Sequence, residues 1–140
     1  MKKLYPFILS TFLIAGCSKD AFKSYDRRIE GTWLLTDVDR RGIGGSVSHL
    51  PFTEGKFIFA DDGGLTYTNS SGALYKGTWD IKRNHVNETD SRTLLITAVD
   101  FTSQDVKSEF FNDMTFTGTN HFKAFIESDF HTYVYHFKRQ

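Results

Sequence analysis

The sequence predicts an all-β protein: an antiparallel, eight-stranded up-and-down barrel that follows an N-terminal apolar segment. Three observations lead to this prediction. From Glu30 onward apolar and polar residues alternate with a period of two, and turn signals recur about every ten residues. Pro51 is the single proline after the N-terminal segment, and no long stretch keeps a helical period. One apolar face per strand is typical of an antiparallel sheet around one core. We favour a barrel because it leaves no free sheet edge, and a two-sheet β-sandwich is the alternative.

Length and composition exclude several classes of protein. The chain has 140 residues, one cysteine, and 17 basic against 17 acidic side chains. This length allows one domain, and a single cysteine excludes an intrachain disulfide and a cysteine-rich metal or redox module. Nucleic-acid-binding proteins usually carry an excess of basic side chains, whereas the net charge here is zero. We therefore predict no nucleic-acid partner. Apolar residues at 39% and aromatic residues at 16% indicate a packed domain.

The first element is a targeting segment over residues 1–16. Lys2 and Lys3 precede an apolar run that ends at Ala15 and contains Pro6. A membrane-spanning helix needs about 20 apolar residues, so this shorter run is typical of a secretory signal peptide.

The segment ends in Leu13-Ile14-Ala15-Gly16-Cys17, which resembles the lipobox of bacterial lipoproteins. The resemblance implies cleavage before Cys17, a diacylglyceryl group on its thiol and acylation of the new N-terminus, with palmitate as a typical fatty acid. Two or more acyl chains hold a protein stably in a bilayer. Ser18, in place of an Asp, resembles sorting to the outer membrane of a Gram-negative cell. Residues 17–29 are predicted to be the lipidated cysteine and a polar tether, with one helical turn at most.

The domain is predicted to span residues 30–140 and to contain eight strands: 31–39, 55–60, 65–69, 73–81, 92–101, 105–116, 120–128 and 132–139. Glycines in 61–64, in 70–72 and at Gly118 mark tight turns, because glycine adopts the positive φ that such turns need. Residues 82–91 are predicted to be an exposed polar loop. Residues 40–54 form the longest connection, which is a candidate lid.

Two Gly-x-Trp motifs and the last strand carry a family resemblance. Gly31-Thr32-Trp33, Gly77-Thr78-Trp79 and the aromatic strand 133–139 resemble the lipocalin-like domains of bacterial lipoproteins, over about residues 30–139. In such a barrel the glycine would let the chain bend, and the tryptophan would plug the floor. The resemblance implies a barrel that takes a small hydrophobic or amphipathic ligand, whose identity it does not give.

The period of two places one row of aromatic side chains toward the barrel axis. These are the candidate ligand-binding residues: Phe57, Phe59, Tyr67, Tyr75, Trp79, Phe110, Phe122, Tyr133 and Tyr135. Phe137 shares their parity, and the tyrosine hydroxyls need polar partners. Eight strands are compatible either with a cavity lined by these rings or with a barrel filled by them. Phe111 and Phe125 are predicted to face outward.

No pattern in the sequence predicts a catalytic residue. The chain lacks GxSxG, HExxH, P-loop and GxGxxG motifs, and its five histidines lack the spacing of a zinc site. The acidic turn at 61–64 lacks the alternating ligands of a calcium loop. Asp37 and Asp39 share a face, as a glycosidase pair would, but they end a strand beside Arg40 and Arg41. We therefore predict no enzyme activity, no cofactor and no metal.

Two functions remain open. The first is a membrane-anchored binding module of the cell envelope that holds a small hydrophobic or amphipathic ligand, with residues 40–54 over its mouth. The second is a solid-core barrel that docks on another envelope protein as an inhibitor or accessory module. Phe111 and Phe125 would form the contact in the second case.

Overall fold

The computed structural model describes residues 24–86 and 89–140, so the predicted signal peptide and lipidated Cys17 lie outside the described residues. Within them a short helix α1 (Tyr25–Ile29) precedes nine strands, and a 3₁₀ turn (Val47–His49) follows the first strand. The strands are β1 (Gly31–Gly42), β2 (Gly55–Phe59), β3 (Gly64–Thr68), β4 (Leu74–Val86), β5 (Thr89–Asp100), β6 (Asp105–Phe111), β7 (Asp113–Thr117), β8 (His121–Glu127) and β9 (His131–Arg139). No helix of this part of the chain is long and apolar enough to cross a bilayer.

All nine strands belong to one antiparallel sheet, in the order β6-β5-β4-β3-β2-β1-β9-β8-β7. The prediction of an all-β antiparallel sheet is confirmed, and the described strands form one sheet rather than the two of a sandwich. The ladder does not join β6 to β7, so hydrogen bonding leaves the sheet open. Its two edge strands nevertheless follow each other in the chain. The sheet curls until β7 contacts β5, where the Arg92 amide donates to Asp113 Oδ1 at 3.2 Å.

The predicted strand 105–116 is two strands because Asn112 interrupts it, so the predicted count of eight is wrong. The Asn112 amide donates to the Phe125 carbonyl at 2.8 Å, and its Oδ1 accepts from the Glu127 amide at 2.7 Å. Before this break Phe111 faces inward, and after it Met114 does. An extra residue in a strand moves the following side chains to the other face.

This change of parity overturns two predictions. Phe110 was predicted to face the interior, but its side chain is 49% exposed. Phe111 was predicted to face outward, but it is fully buried. The period of two is interrupted at Asn112, so the inward parity of Met114 does not continue back to Phe110.

The prediction of an exposed loop at 82–91 is also wrong, because β4 and β5 continue through most of it. Their ladder pairs Arg83 with Arg92 and His85 with Asp90. The Asp90 carboxylate accepts hydrogen bonds from Arg83 and from His85 Nδ1, the latter at 2.6 Å. These bonds lower the pKa of Asp90 to about 2. Polar cross-strand pairs hold this hairpin, so the apolar alternation that signals a strand is absent.

One end of the curled sheet, which we call the floor, is closed by Trp33. This side chain is fully buried, and its Nε1 donates to the Ile29 carbonyl at 2.6 Å. The Arg139 guanidinium lies 4.3 Å from the ring centroid and donates to the Glu30 and Arg28 carbonyls at 2.8 and 2.5 Å. Such stacking adds cation–π attraction to the buried area. The first Gly-x-Trp motif thus buries its tryptophan at this end of the sheet.

The α1 turn is packed against the floor rather than extended as a tether. Ile29 is fully buried in the core, and the Tyr25 ring lies 5.1 Å from the Phe116 ring. Arg28 donates to the Gly118 carbonyl at 2.9 Å. The packed part of the chain therefore begins before the predicted boundary at residue 30.

The second Gly-x-Trp motif depends on a close approach of two strands. A Cβ at Gly77 would collide with the Thr97 carbonyl oxygen on β5. Trp79 is buried, and its Nε1 donates to the Ala60 carbonyl at 3.0 Å. Because residue 77 is glycine and has no Cβ, β4 and β5 can approach each other this closely.

Candidate functional site inside the sheet

The concave inner face of the sheet carries all but one of the predicted ligand-binding side chains. Those buried on it are Phe57, Phe59, Tyr67, Tyr75, Trp79, Phe122, Tyr133 and Tyr135. Phe137 joins them, and Phe110 is the exception described above. The inner face is thus the part of the molecule where an apolar guest would contact rings.

The floor half of this interior is packed with aromatic rings. Phe122 stacks on Phe137 with centroids 4.3 Å apart, and Trp33 meets Phe122 edge-on at 4.7 Å. Phe137 also meets Phe57 edge-on at 5.4 Å. Edge-to-face and offset-stacked rings are favourable geometries, so this half forms a continuous core.

The opposite end, which we call the mouth, is richer in polar atoms. The Tyr67 hydroxyl donates to the Glu54 carbonyl and the Tyr75 hydroxyl to Asp105 Oδ2, each at 2.9 Å. Burial, followed by the nearby charge of Glu54, raises the pKa of Tyr67 to about 12. Both hydroxyls therefore have protein partners.

Tyr135 differs from these two tyrosines. Its side chain is fully buried, and among the described residues its hydroxyl is the one buried side-chain polar atom without a hydrogen-bond partner. Burial raises its pKa above the usual range, and the charge of Glu109 and the neighbouring Tyr133 add to this effect. The ring lies 4.9 Å from that of Phe111, edge-on. Buried polar groups in folded proteins are usually hydrogen-bonded, so this hydroxyl is an exception.

Sequence reasoning missed two charged residues of this interior, Lys107 and Glu109. Their ladder partners on β5 are Ala98 and Ile96, both fully buried, which places them on the inner face. The parity error at Phe110 had put them outside. Taking Phe111 rather than Phe110 as the inward ring would have found both.

These two side chains have different electrostatic surroundings. Lys107 Nζ lies 3.6 Å from Asp105 Oδ2 and 5.5 Å from the centroid of the Tyr75 ring. Glu109 Oε1 accepts from the amide of Phe110 at 3.2 Å. Burial raises the pKa of Glu109, because desolvation disfavours its charged form.

The connection between β1 and β2 covers part of the mouth. Phe52 is buried there, with its ring 4.9 Å from Tyr67 and 5.4 Å from Phe57, both edge-on. Gly45 passes so close to the Tyr133 hydroxyl that a Cβ would collide with it. The predicted lid 40–54 thus begins as strand through Gly42 and then packs onto the inner rings.

The other candidate clusters lie outside the interior. His136 Nε2 lies 3.0 Å from Asp39 Oδ2 on the half-buried outer side of β9. Asp62 Oδ1 accepts from the Gly64 amide at 2.8 Å, which is ordinary turn bonding. Across residues 24–86 and 89–140 no three His, Cys, Asp or Glu side chains converge as metal ligands would. An open groove of about 640 Å³ beside Leu34 and Lys56 also lies on the outer surface.

Compared with models of protein families, with curated proteins and with solved structures, the chain matches none of them.

Proposed function

We propose that this chain is a lipid-anchored lipoprotein of the Gram-negative outer membrane whose lipocalin-like barrel holds a small hydrophobic or amphipathic ligand. The observation that carries the proposal is the buried Tyr135 hydroxyl, which has no partner among the described residues, on an inner face rich in aromatic rings. Leaving such a group unbonded costs about 1–3 kcal/mol. A guest with an apolar body and one polar atom would recover that free energy.

The curled sheet supports the barrel part of this proposal. Each strand pairs with the next one in the chain except β6 with β7, the last strand pairs with the first, and the two edge strands β6 and β7 are separated only by Asn112. The floor is plugged by Trp33, whereas the mouth carries polar and charged inner side chains. An apolar floor below a polar mouth suits an amphipathic ligand that enters tail first.

The anchor is proposed from Cys17 and its lipobox-like context. The chain enters the described region through α1, which packs at the floor. Mass spectrometry of the mature N-terminus tests this anchor, because an unmodified cysteine would contradict it.

Tryptophan quenching tests ligand binding on the full chain. The two tryptophans, Trp33 and Trp79, are both buried in the interior. We expect 12-bromododecanol, added to the full chain in non-ionic detergent, to quench their fluorescence saturably near one equivalent. Quenching that rises only linearly, as collisions in the micelle would produce, contradicts the proposal.

The alternative is a filled barrel that docks on another envelope protein. One observation favours it: Ile43, Phe101 and Phe130 are 83%, 77% and 77% exposed, and all three lie in connections at the mouth. The predicted contact through Phe111 is wrong because that ring is buried, and Phe125 is half-buried. Absence of saturable quenching, together with cross-linking to an envelope protein that Phe130→Ser abolishes, would favour this alternative.

A further inference from the structure

We infer that an inner polar step, formed by the Tyr135 hydroxyl and the Glu109 carboxylate, binds a protonated amine at the head of the ligand. This inference rests on the proposed ligand-binding function and names the class of head group. It concerns two residues on facing parts of the interior, one on β9 and one on β6.

The register places the two side chains at neighbouring levels of the interior, with Glu109 one inward position nearer the mouth, and the charge of Glu109 acts on the Tyr135 hydroxyl. Glu109 and Phe111 are two residues apart on the inner face of β6, and the Phe111 ring contacts the Tyr135 ring at 4.9 Å. On β9, Tyr135 is paired with Ala124 of β8, which is fully buried. The step therefore lies above the packed rings of the floor and below the mouth.

The distribution of charge around the step favours a cationic head group. Lys107 is 3.6 Å from Asp105, and Arg40, whose ladder partner is Tyr133, donates to the Gly44 carbonyl at 2.5 Å. Each of these two cations thus has a protein partner. Within residues 24–86 and 89–140, Glu109 makes no ion pair, and its hydrogen bond is the one from the Phe110 amide. A ligand carboxylate would meet this uncompensated acid, whereas an ammonium group would neutralise it.

An ammonium group also matches the hydrogen-bonding capacity of the step. It carries three donors, while the Tyr135 oxygen and the Glu109 carboxylate both have free lone pairs. Charge-assisted bonds of this kind are stronger than neutral ones. The alkyl chain would then lie against the inner aromatic rings.

The experiment compares three ligands of the same length on the full chain in non-ionic detergent. The ligands are 12-bromododecylamine, 12-bromododecanol and 12-bromododecanoic acid, and quenching of Trp33 and Trp79 is the readout. We expect the amine to bind at least about tenfold more tightly than the acid, with the alcohol between them.

Two variants and a control assign the preference to the step. Glu109→Gln keeps the size of the side chain and should reduce the preference for amine over acid to less than about twofold. Tyr135→Phe should weaken amine binding severalfold. Glu127→Gln, at an exposed position on β8, should leave all three affinities unchanged. Far-ultraviolet circular dichroism confirms that each variant is folded.

The outcomes separate this inference from the function on which it rests. Saturable alcohol binding with equal or tighter acid binding overturns the amine head group and leaves the binding function standing. An amine preference that survives Glu109→Gln also overturns the inference. Absence of saturable quenching by all three ligands overturns the proposed function and the inference with it.

Discussion

Phe110 and Phe111 are neighbours in the chain with opposite surroundings. Phe110 is half exposed on the outer face of β6, whereas Phe111 is fully buried and contacts Tyr135. The same side-chain chemistry therefore contributes very differently to stability at the two positions. Burial of a phenylalanine contributes both transfer free energy and packing, and truncation of a buried ring leaves a cavity.

This pair provides a matched test of the inner face. Phe111→Ala is expected to lower the free energy of unfolding by about 3–5 kcal/mol, because it removes a fully buried ring. Phe110→Ala is expected to lower it by less than about 1 kcal/mol, as for exposed positions generally. Chemical denaturation of both variants and the parent chain measures the two changes. Equal losses would contradict the assigned parity of β6.

The break at Asn112 organises the last third of the sheet. On one side of the break, β6 pairs with β5. On the other side, β7 pairs with β8. The Asn112 side chain replaces a ladder bond, since its Oδ1 accepts from the Glu127 amide. Bulges at sheet edges commonly redirect a strand in this way. Here the redirection places Glu109 and Phe111 on the same inner face as Met114.

Removing that side chain tests the role of the break. Asn112→Ala should lower the free energy of unfolding by about 1 kcal/mol, because the Glu127 amide loses its acceptor. Asn112→Asp keeps an acceptor oxygen and should lose much less. Hydrogen exchange at the Glu127 amide is the direct readout, and we expect faster exchange in the alanine variant only. Unchanged exchange there would show that the side chain does not hold β7 against β8.

At the scale of the whole molecule, the interior is dominated by aromatic rings, several of them tyrosines held away from solvent. Tyr67, Tyr75, Tyr133 and Tyr135 are all buried. Burial raises the pKa of Tyr67, Tyr75 and Tyr135, because ionisation of a phenol inside the folded interior is disfavoured. The pKa of Tyr67 is raised to about 12. Folding and tyrosine ionisation are therefore linked.

The direction of this linkage predicts alkaline unfolding. The folded-state pKa of Tyr67 lies above the unfolded value of 10.0, so its contribution to stability is complete below pH 10 and is lost as the pH rises toward 12. We expect Tyr67, Tyr75 and Tyr135 to ionise together with loss of structure, as a cooperative step in tyrosinate absorbance and circular dichroism. In Tyr67→Phe the decline of stability over this range should be shallower. Gradual, independent ionisation in a fully folded chain would contradict the linkage.

Local patterns in the sequence correctly predicted the tight turns and which side chains face inward on five of the strands. In 55–60, 65–69, 73–81, 120–128 and 132–139 the inward aromatic side chains keep one parity along the whole strand, and this parity is a property of each strand alone. The two Gly-x-Trp motifs likewise predicted that Trp33 and Trp79 would be buried. The function, the anchor and the barrel remain proposals.

The sequence alone therefore determined the fold class and most of the inner aromatic row, because alternation is set residue by residue along one strand. Tertiary structure decided the break at Asn112, the inner positions of Lys107 and Glu109, and the burial of Phe52. These features depend on which strands pair on either side of a kink and on how a distant loop packs. The pattern of residues within a single strand carries no information about such pairings.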